Sequence, residues 1–281
     1  MSIDVLYTDG EGTSIRCSAV KQYDRRVSFA PIAIKTVIQG TEHYYFENNL
    51  LKASEQKVVV GNSNTEARIF IDSNVDVKGI CIDFGTSMIS DYVLDSSYSS
   101  DVVHAILNEQ YLTGELKSQN KTLQRLVLDL FRTIKSEFSH INVEEQLLLI
   151  LQSYFDIQEF RLNHARKLRY VRSNTKVNTI DFLLDAKCYI DNNYQNNINL
   201  DVLSNQVGLS KFKLLRDFKA VFGTTPYDYM ISKRLEKAVT YLGIMPIHEI
   251  AILVGFADSS SFGKLFKQYF GMTPRQFLVR K

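Results

Sequence analysis

The sequence predicts an α+β chain of two domains: an N-terminal β-barrel or jelly roll with trailing helices, then an all-α domain made of two helix-turn-helix units. Three observations predict it. Short β-branched and aromatic runs fill the first third and give way near residue 100 to apolar residues at helical spacing. At 281 residues the chain is long for one core. The closing stretch "YFGMTPRQFL" nearly repeats "VFGTTPYDYM", with Phe222 and Phe270 48 positions apart.

From Val27 to Asp91 the runs "IAIKTVI", "HYYFE", "KVVVG", "ARIFI" and "VKGICIDF" read as strands. The turn clusters "QG", "NN", "GNSN" and "DSN" separate them roughly every ten residues, the rhythm of an antiparallel sandwich or barrel. From Asp101 to Phe155 the period changes. "DVVHAILNEQYL", "KTLQRLVLDLFRTIKSEF" and "NVEEQLLLILQSYF" repeat apolar residues at i, i+3, i+4 and i+7, as amphipathic helices do. The stripe Leu123, Leu126, Val127, Leu130, Phe131 and Ile134 needs a cover, either the sheet or a second copy of the chain. "RLNHARKLRYVRSNTKVN", Arg161 to Asn178, is basic and apolar-poor and reads as a linker or, equally well over its first half, as a solvated helix tail. The expected boundaries are therefore 1–160, 161–178 and 179–281.

Several function classes lose support. No run approaches the ~18 apolar residues of a membrane span, and the N-terminus lacks the basic and apolar regions of a signal peptide, so the chain is expected in the cytoplasm. Cys17, Cys81 and Cys188 have no CxxC spacing, which disfavours a disulfide framework or a zinc knot. His43, His104, His140 and His164 sit on different elements without HxH or HExxH spacing, so no metal is expected. Neither GxSxG nor a phosphate-cradling glycine loop occurs, and no cofactor and no catalytic set is expected. Charge is uneven. Lys176 to Lys281 holds 14 Lys and Arg against 9 Asp and Glu, a net +5, and the remainder is −3. A basic tail suits a polyanionic partner.

The repeat is the strongest signal. With a one-residue gap, Val207/Val254, Gly208/Gly255, Phe218/Phe266, Lys219/Lys267, Phe222/Phe270, Gly223/Gly271, Thr225/Thr273 and Pro226/Pro274 coincide. Each copy reads as helix, tight turn, helix. Asn199 is placed to cap "LDVLSNQV", Gly208 to end it, and Ser210 to cap "KFKLLRDFKAVF". In the second copy Pro246 suits a first helical position, and Asp258 or Ser259 the cap of the second helix. Ser204 and Ala251 are the small residues at each helix crossing, with Leu203/Ile250, Leu214/Phe262 and Phe218/Phe266 as apolar contacts. "TPYDYMISKRLEKAVTYLG" joins the copies as a helix. Lys211, Leu215 and Arg216 share the outward side of the first second-helix, and Ser260, Gly263 and Lys264 that of the other.

The stretches from "NINLDVLSNQVGLS" to "LEKAVTYL" and from "IHEIAILVGF" to "MTPRQFL" resemble the AraC/XylS family of bacterial transcription regulators over about the last hundred positions. The resemblance implies a C-terminal domain for double-stranded promoter DNA, activation through RNA polymerase, and an N-terminal cupin-like domain for a small-molecule effector or for homodimerisation. In "DSSSFGK" serines and Gly263 stand where the family presents larger polar readers, so the second unit is expected to anchor more than select. Cupin metal histidines are not matched.

Lys211, Phe212, Leu215 and Arg216 are expected to face bases, Phe212 against a thymine methyl, and Ser259, Ser260 and Lys264 to do so from the second unit. Lys219, Lys233, Arg234 and Lys267 are expected on phosphates. The leading expectation is thus a sequence-specific regulator, an activator rather than an enzyme. Two other readings stand beside it: a ligand-binding barrel with a helical appendage, and an interaction module dimerising through "KTLQRLVLDLFRTIKSEF".

Overall fold

The computed structural model describes residues 2–46, 49–55, 57–109, 112–116, 121–135, 142–169 and 173–280. Residues 110–111 and 136–138 of two expected helices, residues 170–172 of the expected linker, and His140 lie outside the described residues. The chain divides into two compact units, Met1–Arg166 with Tyr170–Val177, and Lys167–Arg169 with Asn178–Lys281.

In the first unit the strands β1 (Ser2–Thr8), β2 (Ser14–Ser28), β3 (Ile32–Gln39), β4 (Thr41–Phe46), β5 (Asn49–Ser54), β6 (Val58–Gly61), β7 (Glu66–Phe84) and β8 (Gly114–Leu116) form one antiparallel sheet. Its order is β1-β2-β7-β3-β6-β8, with β4 pairing both β5 and β7. β2 and β7 pair from Ser14↔Asp83 to Ser28↔Glu66. β3 takes the far half of β7, Ile32↔Phe84 to Gln39↔Lys78, and β4 takes the near half, His43↔Phe70 to Tyr45↔Arg68. The tight link between β3 and β4 runs through Gly40 at φ 87°, where a side chain would be strained. The sheet curls as a result. Val20, Ala33, Val37, Tyr44, Val59, Ile69 and Val77, from five strands, share one buried cluster inside it.

Two differences from the expected strand pattern have local causes. "ARIFI" and "VKGICIDF" belong to one continuous β7, because "DSN" marks a bulge and not a turn: between Val20↔Val77 and Gln22↔Asp72, β7 places residues 73–76 against the single Lys21 of β2. β1 and β2 before Val27 escape the sequence pattern, since the second half of β2, "KQYDRRVS", is mostly exposed and polar. The strand reading also runs too far, for β7 stops at Phe84 and helix α1 (Thr86–Leu94) follows.

Helices α2 (Ser100–Asn108), α3 (Lys121–Lys135) and α4 (Val143–Ala165) come next. Leu123, Val127 and Leu130 of α3 are fully buried and α3 packs on α4, whose Leu147, Ile150, Leu151 and Phe155 are equally buried. Leu123, Val127 and Leu130 of the α3 stripe are therefore covered within their own unit, at roughly 1.5–3 kcal/mol for each side chain fully removed from water, while Leu126, Phe131 and Ile134 are half-buried. Arg161 is also buried and donates to the Leu112 carbonyl at 3.3 Å and to Gln158 Oε1 at 2.8 Å. Arg161 to Ala165 thus complete α4, which settles the choice between linker and helix tail for these residues, though Arg161 is buried and not solvated.

Candidate nucleic-acid interface

Helix α5 (Ser173–Asn193), which belongs to the second unit from Asn178 on, leads into α6 (Leu200–Val207), α7 (Lys211–Phe222), α8 (Pro226–Val239), α9 (Ile247–Leu253), α10 (Ser259–Phe270) and α11 (Pro274–Val279). The local chemistry follows the sequence closely. Asn199 accepts from the Val202 N–H at 2.9 Å and Ser210 from Lys213, each cap worth about 1 kcal/mol. Thr225 caps α8 ahead of Pro226, and Thr273 with Gln276 makes a capping box at α11. Of the two candidates for α10, Asp258 is the cap, accepting from Ser261 N–H at 2.8 Å. Pro246 occupies the cap position of α9, one residue before the helix.

The cores of the two helix pairs match. Leu203, Ser204, Leu214 and Phe218 are buried in the first, and Ile250, Ala251, Phe262 and Phe266 in the second. The outward faces do not match. On α7, Phe212 is 89% exposed and Leu215 40%, beside exposed Lys211 and Arg216. Single exposed apolar residues are ordinary, but two flanked by cations on one helical face favour a flat, partly apolar, anionic partner. On α10 the corresponding positions hold Ser259, Ser260, Gly263 and Lys264; both serines and the lysine are exposed. Lys219 and Lys267 are exposed in the last turns of α7 and α10.

Two lysines and two arginines prove to be tied into the protein. Lys211 pairs with Asp201 of α6 across the turn. Arg216 donates to Asp217 at 2.9 Å, and its side chain stays 65% exposed. Lys233 lies on α8 between Asp191 at 3.8 Å and Glu236 at 3.6 Å, over the Tyr229 ring. Arg234 is a correction. It is buried, donating to the carbonyls of Tyr194 at 2.6 Å and Asn196 at 2.8 Å with its guanidinium over Phe256, so its charge clamps the chain and is not presented to phosphate. Sequence reasoning also missed Asp217 and Lys213. Asp217 is buried, accepts from Arg216, lies 3.8 Å from Lys213 Nζ, and Lys213 in turn reaches Thr179 of α5 at 3.1 Å. A lone acid among the lysines of "KFKLLRDFKAVF" was the available signal.

Fold and face define a tandem helix-turn-helix domain. Residues 203–280 match the family described as "Helix-turn-helix domain". Over 93 residues the chain is 38% identical to an uncharacterized HTH-type transcriptional regulator in the cgkA 5′ region of Pseudoalteromonas carrageenovora, a match covering 33% of this chain and 56% of that protein. An uncharacterized HTH-type transcriptional regulator of Staphylococcus aureus is 26% identical over 254 residues, 88% of this chain and 31% of the relative. The chain thus spans about half, or less, of the length of these relatives. Among solved structures it is similar to an AraC-type DNA-binding domain protein of Chromobacterium violaceum, with 27% identity, a TM-score of 0.34, and coverage of 36% of this chain and 93% of that one.

Proposed function

We propose that the chain is a bacterial transcription regulator that binds promoter DNA sequence-specifically by inserting α7 and α10 into successive major grooves, and that it performs no catalysis. The observation that carries this reading is the exposed face of α7, where Phe212 and Leu215 stand out beside Lys211 and Arg216 above a fully buried opposite side. Arg216 has the reach and geometry for a guanine edge, Phe212 suits a thymine methyl, and Lys211 can exchange Asp201 for a base or phosphate. Ser259, Ser260 and Lys264 would add fewer base contacts, and Lys219 and Lys267 would set the register on phosphates. α8, with 14 residues, is about 21 Å long and spaces the two units.

In this reading the N-terminal unit senses an effector or pairs with a second copy, and the bound regulator activates through RNA polymerase in the cytoplasm. The division of roles between residues 1–160 and 179–281 is part of the same proposal. The test is selection from a random duplex pool at stated salt, with the full chain. Enrichment of one site with two short elements about a helical turn apart is expected. Loose, salt-sensitive binding without enrichment overturns the reading.

A further inference from the structure

Inside the curled sheet of the first unit lies a cavity of about 230 Å³. Its polar end is built by register. Arg16 of β2 pairs opposite Cys81 of β7, and Cys81 opposite Lys35 of β3, so two cations flank one thiol across three neighbouring strands. Strand alternation puts Lys35 between Ala33 and Val37, both members of the buried apolar cluster, where a hydrophobic residue would cost nothing in solvation. Lys35 is nevertheless there, more than nine-tenths buried.

The hydrogen-bond partner of the Lys35 ammonium is a thiol and not a carboxylate. Lys35 Nζ donates to Cys81 Sγ at 2.8 Å and lies 5.2 Å over the Phe29 ring. A thiol is a weak acceptor, and burial, reinforced by Asp83, pushes the Cys81 thiol up, so it supplies no full negative charge near neutrality. Asp83 is occupied by Arg16, and Glu42 takes the Tyr44 hydroxyl while burial raises its own pKa. The Arg16 Nε is buried and has no hydrogen-bond partner among the described residues. The other end of the cavity is apolar, walled by Val20, Tyr23, Val27, Ile69 and Ile71. Gly79 completes it: a Cβ there would collide with the Glu42 carboxyl and the Ser18 hydroxyl, so the missing side chain is what admits them.

We propose that this cavity is a binding site for a small monocarboxylate with a compact apolar body, its carboxylate on Lys35 and Arg16 and its body against Ile69, Ile71 and Val20. Volume and charge choose the class. Ligand pockets commonly begin near 300 Å³, so a cavity this small fits a single ring or a branched chain and excludes a long one. The nearby Asp83 and Glu42 carboxyls disfavour a dianion. Arg16, with its side chain 42% exposed, links the polar end to solvent. The regulatory consequence, that such an acid alters DNA binding, rests on the function proposed above; the binding itself does not.

The experiment is calorimetry on the full chain with sodium phenylacetate and sodium isovalerate against their neutral amides. Each acid is expected to bind at least about tenfold more tightly than its amide. Lys35→Gln, shown folded by circular dichroism, is expected to erase that preference, and Arg16→Gln to reduce it. No binding by either acid at millimolar concentration, or equal binding of acid and amide, overturns the site; this wild-type comparison decides even if a variant fails to fold. DNA selection with and without phenylacetate separates the two proposals. Tight acid binding with unchanged DNA affinity overturns only the regulatory consequence, and absence of any selected site overturns the regulator reading while leaving the cavity result standing.

Discussion

The two helix-turn-helix units share a backbone plan and differ in what they do with it. Both end their second helix at a left-handed glycine, Gly223 or Gly271, and both bury the same phenylalanine, Phe218 or Phe266. Yet the first faces outward with Phe212, Leu215 and Arg216 where the second has Ser260, Gly263 and Lys264, and it buries Asp217 where the second has Leu265. The second is held by aromatic packing among Phe256, Phe262, Phe266, Phe270 and Phe277. Duplication keeps the cores alike, because volume and turn geometry constrain them, and leaves outward positions free to diverge toward selecting or anchoring.

The sharpest way to break the likeness is at the turn glycines. Gly208 sits at φ 72° with open space around it, whereas Gly255, at φ 97°, would place a Cβ 2.5 Å from the Gln195 carbonyl oxygen. Gly255→Ala is expected to cost about 3 kcal/mol or more in urea unfolding, the sum of backbone strain and collision, and Gly208→Ala about 1 kcal/mol. Equal costs would mean that the second turn relaxes around the clash. On DNA the order reverses in favour of the first unit. Arg216→Ala is expected to lose about 2 kcal/mol on the selected site and much less on random duplex. Lys264→Ala is expected to lose less than 1 kcal/mol on the selected site. A gel-shift competition showing Lys264→Ala as the more selective loss would reassign the reading helix to α10.

Phosphate contacts should bring the two units level again. Lys219→Ala and Lys267→Ala are each expected to lower the salt slope of binding by about one charge, whatever the sequence. A sequence-dependent loss at either one moves that lysine to a base edge. The smallest expected effect separates the caps. Bonds from the Ser261 backbone and hydroxyl hold the Asp258 carboxyl below the usual carboxylate range, while Ser210 does not titrate. Because the folded pKa is the lower one, the cap contributes in full above the ordinary value near 4 and is lost as pH falls through the folded value. Melting curves below about pH 4 should therefore flatten in Asp258→Ser; a variant as acid-sensitive as the parent would place the acid lability elsewhere.

The helical repeat was legible because its signals are local: a cap, a glycine and a proline each act within three or four residues of themselves. The sheet was legible where its strands carry β-branched and aromatic runs, as in β3, β4 and β7. "DSN" showed where β7 departs from regular pairing, but telling a bulge from a turn needs the partner strand, and β2 is too polar over its second half to announce itself. The same limit governs the interface. Exposed Arg216 and buried Arg234 both look like helical cations, and only the return of the chain at Tyr194 and Asn196 makes one of them internal. Lys35 reads as an ordinary polar break in "IAIKTVI" until its neighbours Cys81 and Arg16 are known.

Within the second compact unit, residues 194–196 touch both the connecting helix α8 and the second helix-turn-helix pair. Arg234 grips the carbonyls on either side of Gln195, and Gly255 abuts Gln195 itself. The two helix pairs thus share a joint before any duplex arrives. In the proposed complex, one extra base pair between the two half-elements would rotate the second by about 35° and move it about 3.4 Å along the axis, an offset this joint would have to yield to follow. Spacing, as much as letters, becomes part of the address.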